Sequence, residues 1–271
     1  MKKISARWRN LYTKAGFSSF MASLLAILCG LVVGFVVLLV ADPANAFWGL
    51  LAILTGGLSD MKTLGQVLYA ATPIILTGLS VGFANKTGLF NIGAPGQYLA
   101  GTAATLFIAL SIPSSVVPPE IIWFLAFFGG MLAGALWGAI PGMLKSLLNI
   151  NEVLACIMTN WIAANLVTWI FDISNLKNVV ENTKSGYIYK TTFNNVATSK
   201  MGLDVLFPDS QVNGGIVVAI ILAIIIFIIL TRTTFGYQLK ACGSNRFAAR
   251  YAGIKDKRNI VLSMAVAGSL A

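Results

Sequence analysis

Long uncharged runs of apolar residues alternate with short polar segments along this 271-residue chain. A helix needs about 20 apolar residues to cross a hydrocarbon core of about 30 Å, and these runs have roughly that length. We therefore predict an all-α, polytopic membrane helix bundle with six complete transmembrane helices: Phe20–Val40, Leu64–Phe83, Gly96–Ile112, Ile121–Leu144, Val153–Phe171 and Gly214–Leu230. Ala44 and Ala46 imitate a signal-peptidase site after the first run, but a signal sequence has an apolar region of only about 7 to 15 residues. The first run is therefore expected to remain as a span.

The last apolar segment offers twelve residues from Ile260 onward. As a helix these reach only about 18 Å, which is too short to cross the membrane. The segment either lies in the interface or is a truncated seventh span, and we favour the second interpretation. Residues 1–271 are then predicted to be the N-terminal part of a single transmembrane domain of a longer protein.

The positive charges of the chain are distributed unevenly between the two predicted sides of the membrane. With a cytoplasmic N-terminus, fourteen of the 19 Lys and Arg residues lie inside and five lie outside. An excess of Lys and Arg marks the cytoplasmic side, so topology explains the net charge of +10 and no nucleic-acid partner is implied. The sequence predicts a multi-pass protein of the plasma membrane with an extracytoplasmic loop at 172–213 and a cytoplasmic loop at 232–259.

The composition argues against an enzyme. Hydrophobic residues make up 57% of the chain, charged residues make up 10%, and histidine is absent. Histidine is the commonest general base and metal ligand, and the three cysteines lack metal-ligand spacing. We expect no catalytic residue, no metal and no cofactor.

Small residues recur at every fourth position in two of the predicted spans. This spacing places each set on one helix face, where it lets another helix approach closely in lipid. We expect packing within one bundle, with contact to another subunit as the alternative. The two stripes are Ala22, Ala26, Gly30 and Gly34 in the first span and Gly130, Gly134, Gly138 and Gly142 in the fourth.

The stretch GLFNIGAPGQYLAGTAAT, residues 88–105, interrupts an otherwise apolar region with glycines, a proline and amides. It has neither the GK[ST] ending of a phosphate loop nor a G-x-G-x-x-G pattern. Irregular backbone at membrane depth is tolerated where protein or a water-filled cavity covers it. We predict a cavity wall in which Asn91 and Gln97 present neutral hydrogen-bonding groups and Phe90 or Tyr98 presents a ring face. The alternative is a tight cytoplasmic turn that caps a helix.

Three motifs in this chain resemble one known family. NKTGLFNIGAPGQYLAG is similar to the F-N-I-G-x-x-G-Q signature of permease subunits of ABC importers in the branched-chain amino acid, ribose and nucleoside group. NINEVLACIMTNWIA resembles the family's N-E-V-x-x-x-I-M-x-N-x-I segment, and LKACGSNRFAARYAGI resembles its G-x-N-x-x-A-A-x-x-x-G-I coupling loop. The likeness is greater to the simple-sugar and nucleoside branch than to the amino-acid branch.

The resemblance implies a permease subunit that carries a neutral polar solute inward and is not itself an enzyme. Its implied partners are a separate cytoplasmic ATPase, a second permease subunit that is identical or homologous, an extracytoplasmic solute-binding protein and the lipid bilayer. The implied ATPase-coupling residues are Gly243, Asn245, Ala248, Ala249 and Gly253.

The residues of the third motif also predict a short helix by themselves. Ser244 or Asn245 can cap its start, and Gly253 can adopt the left-handed conformation that ends it. A helix of about two turns is marginal alone, so we expect it to dock on a partner. The alternative is a basic loop that only fixes topology.

Three polar residues of the second motif have two interpretations each. Glu152, beside Asn151, either complements the helix N-terminus or takes part in gating. Asn160 either lines the pathway or forms a hydrogen bond between helices.

Three rival functions also stand: an ion-coupled secondary transporter, a branched-chain amino acid ABC permease, and a membrane anchor without transport.

Overall fold

The computed structural model describes residues 15–177, 196 and 198–271, and this part of the chain contains helices and no strand. The predicted all-α class is confirmed. A short 3-10 helix, Gly56–Leu58, also occurs there. The α-helices in the described residues, α1 to α11 in chain order, are Ala15–Ala41, Ala46–Thr55, Met61–Asn85, Ala94–Ser111, Pro119–Leu148, Glu152–Ile173, Leu203–Leu206, Gly215–Arg232, Thr234–Ser244, Arg246–Tyr251 and Asp256–Leu270.

Five helices of the described residues are long and apolar enough to cross a membrane, namely α1 from Phe20 onward, α3, α5, α6 and α8. They coincide with five of the six predicted spans. The remaining predicted span, Gly96–Ile112, is also helical as α4, but its glycines, threonines and Gln97 lower its hydropathy below that of the other five. The count of six spans therefore stays a prediction at this point.

The chain divides into two compact units, Met1–Val67 and Leu68–Ala271. In the first unit, α1 ends at a turn in which the Asp42 carboxylate accepts a hydrogen bond from the Asn45 side chain at 2.8 Å. Within this unit, a Cβ placed on Gly30 or Gly34 meets no described atom within 4 Å. Packing of the small-residue stripe of α1 within the bundle stays a prediction.

In the second unit, the glycine stripe of α5 packs as expected within one bundle. A Cβ on Gly134 would collide with the carbonyl oxygen of Gly268 in α11, and one on Gly142 would lie 3.0 Å from the Met264 Cβ. The two backbones can approach only because these side chains are absent. Met264 is fully buried, so α11 packs within the unit. A truncated seventh span and a helix in the interface both stay predictions for this segment.

The two predicted loops differ in how much of them the structure describes. Within the extracytoplasmic loop at 172–213, residues 178–195 and 197 lie outside the described residues. Of the remainder, Thr198 accepts a hydrogen bond from the Trp123 indole N–H of α5 at 3.1 Å. The segment 232–259, predicted to be a cytoplasmic loop, is largely helical, because it contains α9, α10 and the start of α11.

Candidate functional site

The interrupted stretch that follows α3 is held by a reciprocal pair of buried amides. The Asn91 Nδ2 donates to the Gln97 Oε1 at 2.8 Å, and the Gln97 Nε2 donates to the Asn91 Oδ1 at 3.0 Å. Asn91 also donates to the Ser80 hydroxyl at 3.1 Å and accepts from the Gly93 N–H at 3.1 Å. Both amides are 1% exposed, so this network fixes the irregular backbone where α4 begins.

Asn160 of α6 binds the same stretch from the other side. Its Oδ1 accepts from the Gly96 N–H at 2.9 Å, and its Nδ2 donates to the Ile92 carbonyl at 3.0 Å. The N–H groups of a first helical turn lack partners within their own helix, so Asn160 satisfies one of these donors at the start of α4. The interpretation of Asn160 as a residue that bonds between helices is confirmed, and the first two motifs meet here.

The start of α6 carries the other polar residues of the second motif. The Asn151 side chain accepts from the Val153 N–H at 2.9 Å and thereby caps the helix. Glu152 pairs with Lys145 at the end of α5, with 2.8 Å between the Lys145 Nζ and the Glu152 Oε2. This arrangement agrees with complementation of the helix N-terminus. Gating by Asn151 and Glu152 stays a prediction.

The third motif touches the first through a contact between two backbones. Gly88 has a φ of 74°, and a Cβ on it would lie 3.3 Å from the Gly243 Cα. A Cβ on Gly243 would in turn collide with the Lys86 carbonyl oxygen. Beside this contact, the Thr87 hydroxyl donates to the Ser263 hydroxyl of α11 at 2.7 Å, although 176 residues separate the two. Thus all three motifs converge near the start of α4.

The short helix predicted in the third motif is α10, and both of its predicted ends are confirmed. The Asn245 Oδ1 accepts from the Phe247 and Ala248 N–H groups, each at 3.0 Å. Gly253 has a φ of 81°, and the Ile254 N–H returns to the Ala249 carbonyl at 3.0 Å. This left-handed ending is the Schellman motif.

The Gly253→Ala variant should loosen the end of α10 without unfolding the protein. A left-handed residue with a Cβ costs about 1–2 kcal/mol, which corresponds to roughly a 5- to 30-fold change in a local opening equilibrium. We expect hydrogen exchange of the Ile254 amide to accelerate by that factor. Ala252→Ser is the matched control, because Ala252 has an ordinary φ of −76°. Equal exchange in the two variants would contradict this assignment.

The two faces of α10 differ sharply in exposure. Phe247 is 81% exposed and Tyr251 is 97% exposed, while Ala249 is 4% exposed. Ala248 shares the exposed side with the two rings. The helix therefore exposes the rings of Phe247 and Tyr251 and packs the small side chain of Ala249 against the rest of the unit.

Asp256, which sequence reasoning missed, joins α10 to α11 by an ion pair. Its carboxylate accepts from the Arg246 Nε at 2.6 Å and from the Arg250 Nη2 at 2.7 Å. Hydrogen bonds from Arg250, with further contributions from Arg246, outweigh burial and hold the pKa of Asp256 well below its usual range. A lowered folded-state pKa gives stability that is present above the unfolded-state pKa and is lost only in strong acid. One signal was available: Asp256 is the only acid in 232–259, among seven basic residues.

A cavity of about 370 Å³ lies in the second unit between α4, α5 and the end of α11. Gln97 and Tyr98 line it, and the role of this stretch as a wall of the solute pathway stays a prediction. Asn91 and Asn160 do not line this cavity, and neither does Phe90, which is 55% exposed. Among the described residues, none that lines it is acidic or basic. The other polar and aromatic lining residues are Thr102, Thr105, Trp123, Phe127, Thr198 and Ser269.

Comparison with known proteins gives a consistent result. Residues 63–271 match the family model described as branched-chain amino acid transport system / permease component. A nucleoside ABC transporter permease protein of Lactococcus lactis is 38% identical over 92% of this chain and 67% of the relative. A guanosine ABC transporter permease protein of Bacillus subtilis is 35% identical over 94% of this chain and 70% of the relative.

A more distant relative is named for a different solute. A glucose ABC transporter permease protein of Haloferax volcanii is 30% identical over 85% of this chain and 60% of the relative. No solved structure matches the chain significantly. The apolar helices and these relatives together identify a multi-pass membrane protein.

Proposed function

Because the chain belongs to the family of permease components of branched-chain amino acid transport systems, we propose that it is the membrane-spanning subunit of an ABC importer for nucleosides. ATP hydrolysis belongs to a separate ATPase subunit in this proposal. A second permease subunit, identical or homologous, completes the pathway, and an extracytoplasmic binding protein delivers the solute.

The uncharged cavity is the single observation that carries the choice of solute. Its wall combines the rings of Tyr98, Trp123 and Phe127 with the hydroxyl groups of Thr102 and Thr105. A nucleoside offers a flat aromatic base and a hydroxylated sugar, and both find complementary groups there. The nucleoside and guanosine relatives support the same choice.

The same cavity weighs against a branched-chain amino acid as the solute. A free amino acid carries a carboxylate and an ammonium group, and burying either charge without a partner is costly. None of the described residues that line the cavity provides an opposite charge. A neutral solute avoids this cost.

The contacts between motifs support a topology in which α4 crosses the membrane. Gly88 touches Gly243, so these two positions lie on one side and an even number of crossings separates them. With α5, α6 and α8 as spans, the number is even only if α4 also crosses. The excess of basic residues then supports a cytoplasmic location for this side and for the N-terminus.

The exposed aromatic face of α10 supports its role as the site where the ATPase docks. Phe247 and Tyr251 are large, exposed and close to basic side chains, and such rings are commonly energetic centres of interfaces. In this proposal Gly243 passes motion from the coupling loop to the turn at Lys86–Gly88, and thereby to the start of α4.

An ion-coupled secondary transporter is the second candidate, and the candidate spans weigh against it. Proton-coupled carriers commonly place acidic or basic residues inside the membrane. In the five candidate spans such residues lie only near the ends, for example Lys62, Glu152 and Arg232.

Uptake by cells that express the full-length permease with its partners tests the function. We expect labelled guanosine and adenosine to enter, leucine and glucose to be excluded, and uptake to stop when the partner ATPase is inactivated. Uptake that persists without ATP hydrolysis would favour a secondary transporter. ATP-dependent uptake of leucine instead would favour the amino-acid permease, and absence of all uptake would favour a membrane anchor.

A further inference from the structure

The short helix α10 is held against the start of α11 by an ion pair. It has six residues, and a helix of this size is not stable by itself. Arg246 and Arg250 are four positions apart and therefore share one face of the helix. Phe247 and Tyr251, also four apart, lie on the exposed side.

One carboxylate holds both arginines. The Asp256 Oδ2 accepts from the Arg246 Nε and from the Arg250 Nη2, and its Oδ1 accepts from the Arg250 Nε at 3.1 Å. Its side chain is only 6% exposed. Two parallel N–H···O bonds from one guanidinium fix its direction as well as its distance from the carboxylate, so Asp256 fixes the orientation of α10 relative to α11.

Asp256 is also the first residue of α11, which connects the coupling loop to the cavity. With fifteen residues, α11 spans about 22 Å. Along this length Gly134, Gly138 and Gly142 of α5 contact its backbone. At the other end its last residues, Gly268 to Leu270, line the cavity together with the following Ala271.

We propose that Asp256 is a positioning residue for ATP-driven transport, and this proposal rests on the proposed function. It ties α10 to α11, so that displacement of α10 on the docked ATPase passes to α11 and on to the cavity wall. The caps at Asn245 and Gly253 do not include Asp256. Loss of its charge therefore uncouples transport from hydrolysis without removing the ATPase docking face.

The test measures three quantities on the full-length permease reconstituted with its partners in liposomes: retained ATPase subunit, ATP hydrolysis and solute uptake. In Asp256→Asn we expect the ATPase to remain bound and hydrolysis to stay within about twofold, while uptake per ATP falls about tenfold. Arg250→Gln is the second variant, since Arg250 is 54% exposed and its change should not prevent folding. Lys257→Gln is the matched control, because Lys257 is an exposed neighbour in the same helix.

A double variant separates a shared ion pair from two unrelated effects. Asp256 and Arg250 act through one contact, so Asp256→Asn with Arg250→Gln should lower uptake per ATP little more than either change alone. Additive losses would overturn the proposal. So would normal uptake per ATP in both single variants, or release of the ATPase subunit in both.

The wild-type protein distinguishes failure of this inference from failure of the proposed function. If wild-type uptake continues with an inactive ATPase, the importer function itself is wrong. If wild-type uptake requires the ATPase but both single variants match Lys257→Gln, only the role of Asp256 is wrong.

Discussion

The Gly138→Leu variant is expected to lose about 3 kcal/mol of stability, the upper end of the usual range for overpacking. A Cβ at this position would collide with the Met264 carbonyl oxygen and would lie 3.1 Å from the Gly268 Cα. Both neighbours are backbone atoms of α11 and cannot rotate away as a side chain would. The helix must therefore move, and the cavity wall that it forms must move with it.

Thermal unfolding of the purified protein in detergent measures this loss, and α1 supplies the matched control. Gly34→Leu makes the same change where no described atom lies within 4 Å of the added Cβ. We expect Gly34→Leu to unfold within about 0.5 kcal/mol of the wild type, as exposed substitutions usually do. Equal stability of the two variants would show that the contact between α5 and α11 does not require glycine.

The Asn91→Leu variant is expected to have the second large effect, a loss of about 3 kcal/mol or more together with loss of uptake. The Asn91 amide bonds to Gln97 twice, to Ser80 and to the Gly93 N–H. Leucine leaves these groups buried without a partner, and each unsatisfied group costs about 1–3 kcal/mol. The start of α4 would then lose its fixed geometry.

A double-mutant cycle tests whether the two amides act as one unit. Gln97→Leu combined with Asn91→Leu should cost about 1–3 kcal/mol less than the sum of the single losses, because the unpaired partner is also removed. Asn165→Leu is the matched control, since Asn165 is exposed on α6 and bonds only to the Trp161 carbonyl within its own helix. Strict additivity of the two losses would refute a paired amide.

Local features of the chain could be predicted because their causes lie within a few residues. Five spans follow from uninterrupted apolar runs, since the cost of burying charge in lipid acts on each segment separately. The ends of α10 follow from Asn245 and Gly253, whose side-chain oxygen and left-handed backbone act on adjacent residues. The likeness of three motifs to a permease family is a property of the sequence in the same way.

The partner of each residue could not be predicted, because that depends on which helix faces meet. The stripes of α1 and α5 have the same spacing of four, yet glycines of the α5 stripe contact α11, while a Cβ on Gly30 or Gly34 of α1 meets no described atom within 4 Å. Asn91 was expected to face a solute, but its side chain donates to Gln97 and is not among the groups that line the cavity. The ion pair of Asp256 could not be predicted either, because it depends on Arg246 and Arg250 of α10 facing the start of α11.

The sequence by itself determined the membrane class, the positions of the apolar helices and the two ends of α10, because these depend on composition and on interactions within one or two turns. Only the tertiary structure decided that the three motifs converge, with Gly88 against Gly243 and Thr87 bonded to Ser263. Contacts between residues so far apart are selected by close packing of whole helix surfaces. No local pattern encodes which surfaces will fit.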